Sequence, residues 1–232
     1  MKVLELYSGT QSISKEFRAN CHDTLCVELN PLFTLDPWNL KQWTMSILDI
    51  KAKDIIKKFG RPDVIWASPL CTTHSIAAIS THRHSLDNGI GNTIKEQKDS
   101  NTLIAKSNKA IFHDQLLLKT LMLIQELKPK YYFIENPRGG MRKSPLMRGV
   151  MYRYTVTYCS YGDLSMKPTD IWTNHPNPNF KGMCFNNNPN CHHQRAPRGS
   201  KTGTQGKQGN LERSMIPKEL CSHIVKICED YR

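Results

Sequence analysis

Two short apolar runs each end in a residue able to do chemistry. Pro69-Leu70-Cys71 follows Val64 to Ala67, and Glu135-Asn136 follows Tyr131 to Ile134. If both runs are strands, a thiol and a carboxyl group can meet at one edge of a sheet. A cysteine at a strand mouth, ahead of a polar stretch, is accessible enough to react as a thiolate. A carboxyl group beside it can hold a ring nitrogen or deliver a proton. The pair suits nucleophilic attack on an electron-poor ring. Free cysteines are more often inert core residues, so this reading depends on what surrounds Cys71.

Three more apolar runs end in residues suited to a nucleoside. Gly9, after Val3 to Tyr7, lets the backbone approach a ligand closely. Glu28, near the end of Leu25 to Leu29, stands where an acid can hold both ribose hydroxyls. Asp49, closing Trp43 to Leu48, could bond an adenine amino group. Each has a plainer reading as a turn or a solvated acid. Together they describe an adenosine-containing ligand, and no glycine-rich phosphate-gripping signature accompanies them. That combination points to S-adenosylmethionine rather than a dinucleotide.

Such residues need elements that place them at one edge. The five runs above and a sixth at Tyr152 to Tyr158 read as strands. Segments near 13–20, 55–59, 110–127 and 216–231 read as helices. Their alternation predicts an α/β fold with a mostly parallel sheet and helices on both faces, in which ligands sit outside the carboxyl ends of the strands. Thr72 to Asn108 is polar and aperiodic and reads as one long loop. No stretch is apolar enough to span a bilayer, and the opening residues make a poor secretion signal. Eight cysteines without such a signal suit a reducing cytoplasm.

The net charge is +12 over 232 residues. Such an excess suits a partner made of phosphates, with solubility alone as the plainer explanation. Seven basic residues and one acid fall between 181 and 218. Within the glycine-containing run 198–206, Arg198 and Lys201 could lie along phosphates, unless this is only a surface loop. Cys159, Cys184, Cys191 and His193 have the composition of a zinc set, although the spacing is not that of a standard finger. Free cysteines in a polar loop are the duller alternative.

Taken in order, Leu6-Tyr7-Ser8-Gly9, Ser68-Pro69-Leu70-Cys71 and Ile134-Glu135-Asn136-Pro137 resemble the sequential motifs of the DNA (cytosine-5)-methyltransferase family. Arg213-Ser214-Met215-Ile216-Pro217 is similar to that family's closing cofactor motif. Lys167-Pro168-Thr169-Asp170-Ile171-Trp172-Thr173-Asn174 resembles a segment of its short phage-type members. The resemblance implies a Rossmann-like S-adenosylmethionine-dependent methyltransferase fold. It places Tyr7, Ser8, Gly9 and Thr10 around the cofactor, with Glu28, Asp49, Pro69 and Ser214. Ser68, Asn136, Arg138, Lys167 and Thr169 would contact the substrate.

The reaction the resemblance implies begins with Cys71 adding to carbon 6 of a cytosine flipped out of double-stranded DNA, while Glu135 contacts N3 and the exocyclic amine. Carbon 5 then takes the methyl group, loses its proton, and the cysteine leaves. The family's Gln-Arg-Arg signature is not legible at Tyr158-Cys159-Ser160-Tyr161-Gly162, so Lys167 or Arg153 takes over part of that contact, or it is absent. The expected division is a catalytic domain at 1–173, a small basic recognition insert at 174–211, and a returning C-terminal helix at 212–232. A monomer in the cytoplasm of a bacterial or phage-infected cell is expected, with no membrane partner. Two alternatives stay open: an RNA cytosine-5 methyltransferase, or a nucleic-acid-binding protein with a degenerate methyltransferase fold. The presence of both Cys71 and Glu135 argues against the second.

Overall fold

A computed structural model describes residues 1–33, 42–86, 102–194, 207 and 209–230. In chain order its elements are β1 (Lys2–Leu6), α1 (Ser12–Ala19), β2 (Asp23–Glu28), β3 (Gln42–Thr44), α2 (Ala52–Lys58) and β4 (Val64–Ala67). Then come α3 (Ile79–His82), β5 (Arg83–Leu86), β6 (Thr102–Ala105), α4 (Asn108–Leu127) and β7 (Tyr131–Pro137). β8 (Tyr152–Thr157), β9 (Pro168–Thr173), α5 (Gly209–Ser214) and α6 (Lys218–Glu229) complete the described chain.

Seven strands form one sheet in the order β3-β2-β1-β4-β7-β9-β8. The first five run parallel, β9 runs against β7, and β8 runs against β9 and so in the direction of the first five. Helices cover both faces, which is why the central strands read as nearly unbroken apolar runs. Alternate residues serve alternate faces. Val3, Trp66 and Phe133 pack with Phe17 of α1 and with Leu220 and Ile224 of α6. Leu4, Leu6 and Ile65 pack with Ile55 of α2 and with Leu116, Leu123 and Leu127 of α4. Ser107 caps α4 by accepting from the Ala110 N–H at 3.1 Å. The helix stops at Lys128, whose φ of +47° precedes a proline that cannot extend it.

Glu5 is the exception in β1, a buried carboxyl group that accepts from the Ser14 N–H at 2.9 Å. Burial pushes its pKa up to about 7, although Ser14, the Ile13 backbone and Arg18 all pull it down. Between about pH 4.5 and that value the folded chain holds a proton that the unfolded chain has shed. Stability therefore falls as pH rises through this window. Glu5→Gln is expected to match the parent near pH 4.5 and to exceed it above pH 7 by about 3 kcal/mol at most. Urea unfolding at both pH values checks this, and parallel curves would refute it.

The structure redraws four segments. The strand expected from Trp43 to Leu48 is only Gln42–Thr44, and Ile47–Asp49 is a 3-10 turn capped by Ser46, so Asp49 stands beyond the strand rather than at its tip. The loop expected over Thr72 to Asn108 contains α3 and the antiparallel strand pair β5 and β6. The resemblance segment at Lys167 to Asn174 contains β9, where Asp170 is fully buried because Arg142 engages it with two nitrogens and Thr155 donates to it. The closing helix, expected from residue 216, begins at Lys218 with Pro217 as its cap. Among the described residues, no helix is long and apolar enough to cross a membrane.

Candidate active site

Parallel pairing of Leu6 with Val27 and Ala67, and of Ala67 with Ile134, brings four strand ends to one edge. The turn leaving β1 is unusual: Tyr7, Gly9 and Gln11 all have positive φ, at +57°, +43° and +57°. Only the glycine adopts that region cheaply, so the turn is held by its surroundings. Gly9 N–H donates to Glu28 Oε2 at 2.9 Å, and Asn30 N–H donates to Glu28 Oε1 at 3.0 Å. A carboxylate accepts about four hydrogen bonds, so Glu28 keeps room for two hydroxyls. Ser8 is buried, and its hydroxyl has no partner among the described residues. The Tyr7 side chain turns away, bonding Leu116 O at 3.0 Å and Thr120 Oγ1 at 2.9 Å in α4, so only its backbone faces the edge. Thr10 bonds Ser12 at 2.9 Å, and Asp49 is exposed.

Cys71 is solvent-exposed and caps the short turn Thr72–His74. The wall of protein around it pushes the thiol up from its ordinary range, as does the Glu135 carboxylate, while the Lys167 ammonium pulls it back. Glu135 is buried and accepts from the Tyr158 hydroxyl at 3.0 Å. β7 runs on past Ile134 to Pro137, so Glu135 and Asn136 lie within the strand, and the loop after β4 is fastened to it. Asn136 donates from Nδ2 to Pro69 O at 2.9 Å, and its own Oδ1 is buried without a partner among the described residues. Farther along, a Cβ on Gly139 would stand 2.5 Å from His74 O, so backbone abuts backbone there.

Lys167 is buried, a costly place for an ammonium group. It sits 4.3 Å from the Tyr158 ring centroid and donates to Arg213 O at 2.8 Å, on a backbone with φ of +26°. Burial lowers its pKa, opposed by the negative forms of Glu135 and Cys71. Of the two cations considered for the absent arginine signature, Lys167 faces the thiol and acid, whereas Arg153 is exposed on the outer strand β8. Lys167→Met is expected to slow alkylation of Cys71 by iodoacetamide at pH 8, because less thiolate forms. In both proteins the rate should climb with pH through the thiol range. A pH-independent rate, or one unaffected by the substitution, would overturn this electrostatic account.

The remaining expected residues divide clearly. Ser68 accepts from the Trp66 indole at 2.9 Å, and Pro69 is buried with its carbonyl turned to Asn136. Arg138 is exposed, its N–H donating to Pro168 O at 2.9 Å, and Thr169 is buried in β9. Ser214 turns its hydroxyl to Leu211 O at 2.7 Å. Nearby, Ile216 N–H reaches Ser12 Oγ at 3.3 Å, which ties the C-terminal motif to the first turn. Arg198 and Lys201 lie outside the described residues. Sequence reasoning missed Tyr158 and a buried anchor behind Cys71. Arg83, with a side chain 0 % exposed, donates to Thr73 O, Thr73 Oγ1 and both oxygens of Asp114. Burial, then Arg83 and His113, lower the neighbouring His74 to a pKa of about 3, so it is neutral.

No family model matches the chain. Over 238 residues, covering 98 % of this chain and 100 % of the other, it is 26 % identical to a probable DNA (cytosine-5)-methyltransferase of Frog virus 3 (isolate Goorha). The chain is similar to that viral protein along nearly its whole length. Its fold is also that of a putative DNA modification methyltransferase encoded within an E. coli prophage, with a TM-score of 0.51 and 15 % identity over 75 % of this chain and 46 % of that one. The Entamoeba histolytica methyltransferase structure gives a TM-score of 0.50 at 13 % identity, over 75 % and 52 %. The chain thus spans about half the length of these solved methyltransferases. The shared architecture is the Rossmann-like methyltransferase fold.

Proposed function

We propose that this protein methylates carbon 5 of cytosine in double-stranded DNA, using S-adenosylmethionine and a covalent cysteine adduct. One observation carries the reading: an exposed thiol on the loop after β4 and a buried carboxyl group near the end of β7, the two segments joined by the Asn136–Pro69 hydrogen bond at the sheet edge that also bears the Tyr7–Gln11 turn. The cofactor's chemistry fits the donor set. Glu28 would hold its ribose hydroxyls, Asp49 its adenine, and the unpartnered Ser8 hydroxyl a polar atom of its tail. S-adenosylmethionine, when bound, supplies an electrophilic methyl group.

This chain's residues do the rest. Glu135, oriented by the Tyr158 hydroxyl, holds N3 and the exocyclic amine of the extruded base. The Cys71 thiolate forms a bond to carbon 6 and the displaced electrons make carbon 5 nucleophilic. After methylation, loss of the carbon-5 proton to a base restores the 5,6 double bond and expels the thiolate. Lys167 favours the anionic sulfur at both ends of this sequence. We assign residues 1–173 and 212–232 to catalysis and 174–211 to recognition of a short sequence, by a monomer working in a reducing compartment.

A duplex with 5-fluorocytosine at the target position tests this reading, because fluorine blocks the final proton loss. A denaturant-stable complex is expected that needs S-adenosylmethionine and vanishes in Cys71→Ala. Trapping on RNA and not on DNA would move the substrate to RNA. Trapping on neither would leave a nucleic-acid-binding protein with a methyltransferase fold.

A further inference from the structure

Away from the catalytic edge, four side chains from distant parts of the sequence converge. Cys159 lies in the 3-10 turn that follows β8, while Cys184, Cys191 and His193 lie in the segment after β9. One ligand atom from each, three sulfurs and an imidazole nitrogen, all fall within 4.8 Å of one another. All three cysteines are free thiols. Cys184 Sγ stands 3.6 Å from His193 Nδ1. That separation matches two ligands of one tetrahedral ion with metal–sulfur and metal–nitrogen bonds of about 2.3 and 2.0 Å. Asn188 also donates to Cys184 Sγ at 3.3 Å, the kind of outer contact that steadies a ligating thiolate.

The segment carrying three of these ligands has little else to hold it. Phe180 packs on the core, but in the stretch 182–194 that bears the three ligands the large apolar side chains, Met183 and Phe185, are both exposed. It is held by isolated hydrogen bonds: Cys184 N–H to Thr157 Oγ1 at 2.9 Å, Ser160 Oγ to Gly182 O at 3.0 Å, and Gln194 N–H to Leu164 O at 2.8 Å. A stretch that buries so little apolar surface does not offset its own ordering entropy, and a bound metal supplies the missing free energy. Three thiols and one imidazole form a set selective for zinc and leave no coordination position open to water, which makes the site structural rather than catalytic.

We propose that Cys159, Cys184, Cys191 and His193 bind one zinc ion, and that this ion fastens the segment after β9 to the turn carrying Tyr158. Cys159 directly follows Tyr158, whose hydroxyl touches Glu135. The metal would thereby hold the basic segment in a fixed relation to the candidate acid. The binding claim is independent of the methyltransferase assignment, because counting metal requires no turnover.

The test uses the full chain, purified untagged in reductant and without chelator. Elemental mass spectrometry is expected to find about one zinc per chain. Replacement by cobalt(II) should give the strong red-region ligand-field bands and near-ultraviolet sulfur charge transfer of a tetrahedral thiolate site. Cys184→Ser and Cys191→Ser should each lose most of the zinc, His193→Cys should retain it, and Cys21→Ser, far from the cluster, should keep the full complement. Folded parent protein that carries no zinc and takes up no cobalt would overturn the proposal. So would cysteine variants that bind zinc as the parent does, or a disulfide among these thiols in the presence of reductant.

Discussion

Glu135→Gln is expected to cut turnover by about a hundred- to ten-thousand-fold, the range over which a positioned acid or base acts, while S-adenosylmethionine binding persists. The substitution is nearly isosteric, and its carbonyl oxygen can still accept from Tyr158, so the buried pocket keeps its shape. It removes the proton that a carboxyl group can share with N3. It also removes a negative charge that raises the Cys71 thiol and Tyr158. Alkylation of Cys71 should therefore become faster in the variant as methylation slows. That opposite movement separates loss of the acid from general damage. Single-turnover methylation and calorimetric cofactor titration measure the two sides, and an unchanged rate would take Glu135 out of the chemistry.

The largest loss of stability is expected from Asp114→Ala. Arg83 is completely enclosed, and Asp114, about a quarter exposed, supplies its charge partner through two oxygens at 2.8 and 3.1 Å. Removing the carboxylate strands a guanidinium in the interior, which costs about 3 to 5 kcal/mol. Urea unfolding reads the difference directly. Arg83→Met combined with Asp114→Ala should recover much of it, since the uncompensated charge is then gone. The same guanidinium holds Thr73 and His74, immediately beyond Cys71, so the single variant should also bind DNA more weakly at temperatures where it is still folded. A loss below about 1 kcal/mol would mean that the pair behaves as an exposed one.

Legibility followed sequence separation. β4 and α4 were readable because an apolar run of four and a long stripe at helical spacing leave little else to choose. β9 was hidden by its own residues: a lysine before it, a proline at its start, and an aspartate in its middle that only Arg142, far along the chain, makes tolerable. The β5–β6 pair escaped because Arg83 to Leu86 and Thr102 to Ala105 are short, and neither signals a strand without the other. Cys71 and Glu135 could be proposed from position alone. Tyr158 could not, since a tyrosine in a chain is ordinary until its hydroxyl is seen against a carboxylate. The cysteines and histidine of the metal cluster had the right composition in sequence, and folding added their convergence.

The bare contact between Gly139 and the His74 carbonyl has a consequence for how this protein can change. Two peptide planes meeting with no side chain between them have no cushion, so a displacement of one strap is handed to the other undiminished. The backbone beside Cys71 can change its shape here only if both move at once. Gly139→Ala should therefore be rescued by second replacements in 72–78 that withdraw the His74 carbonyl, rather than by changes elsewhere.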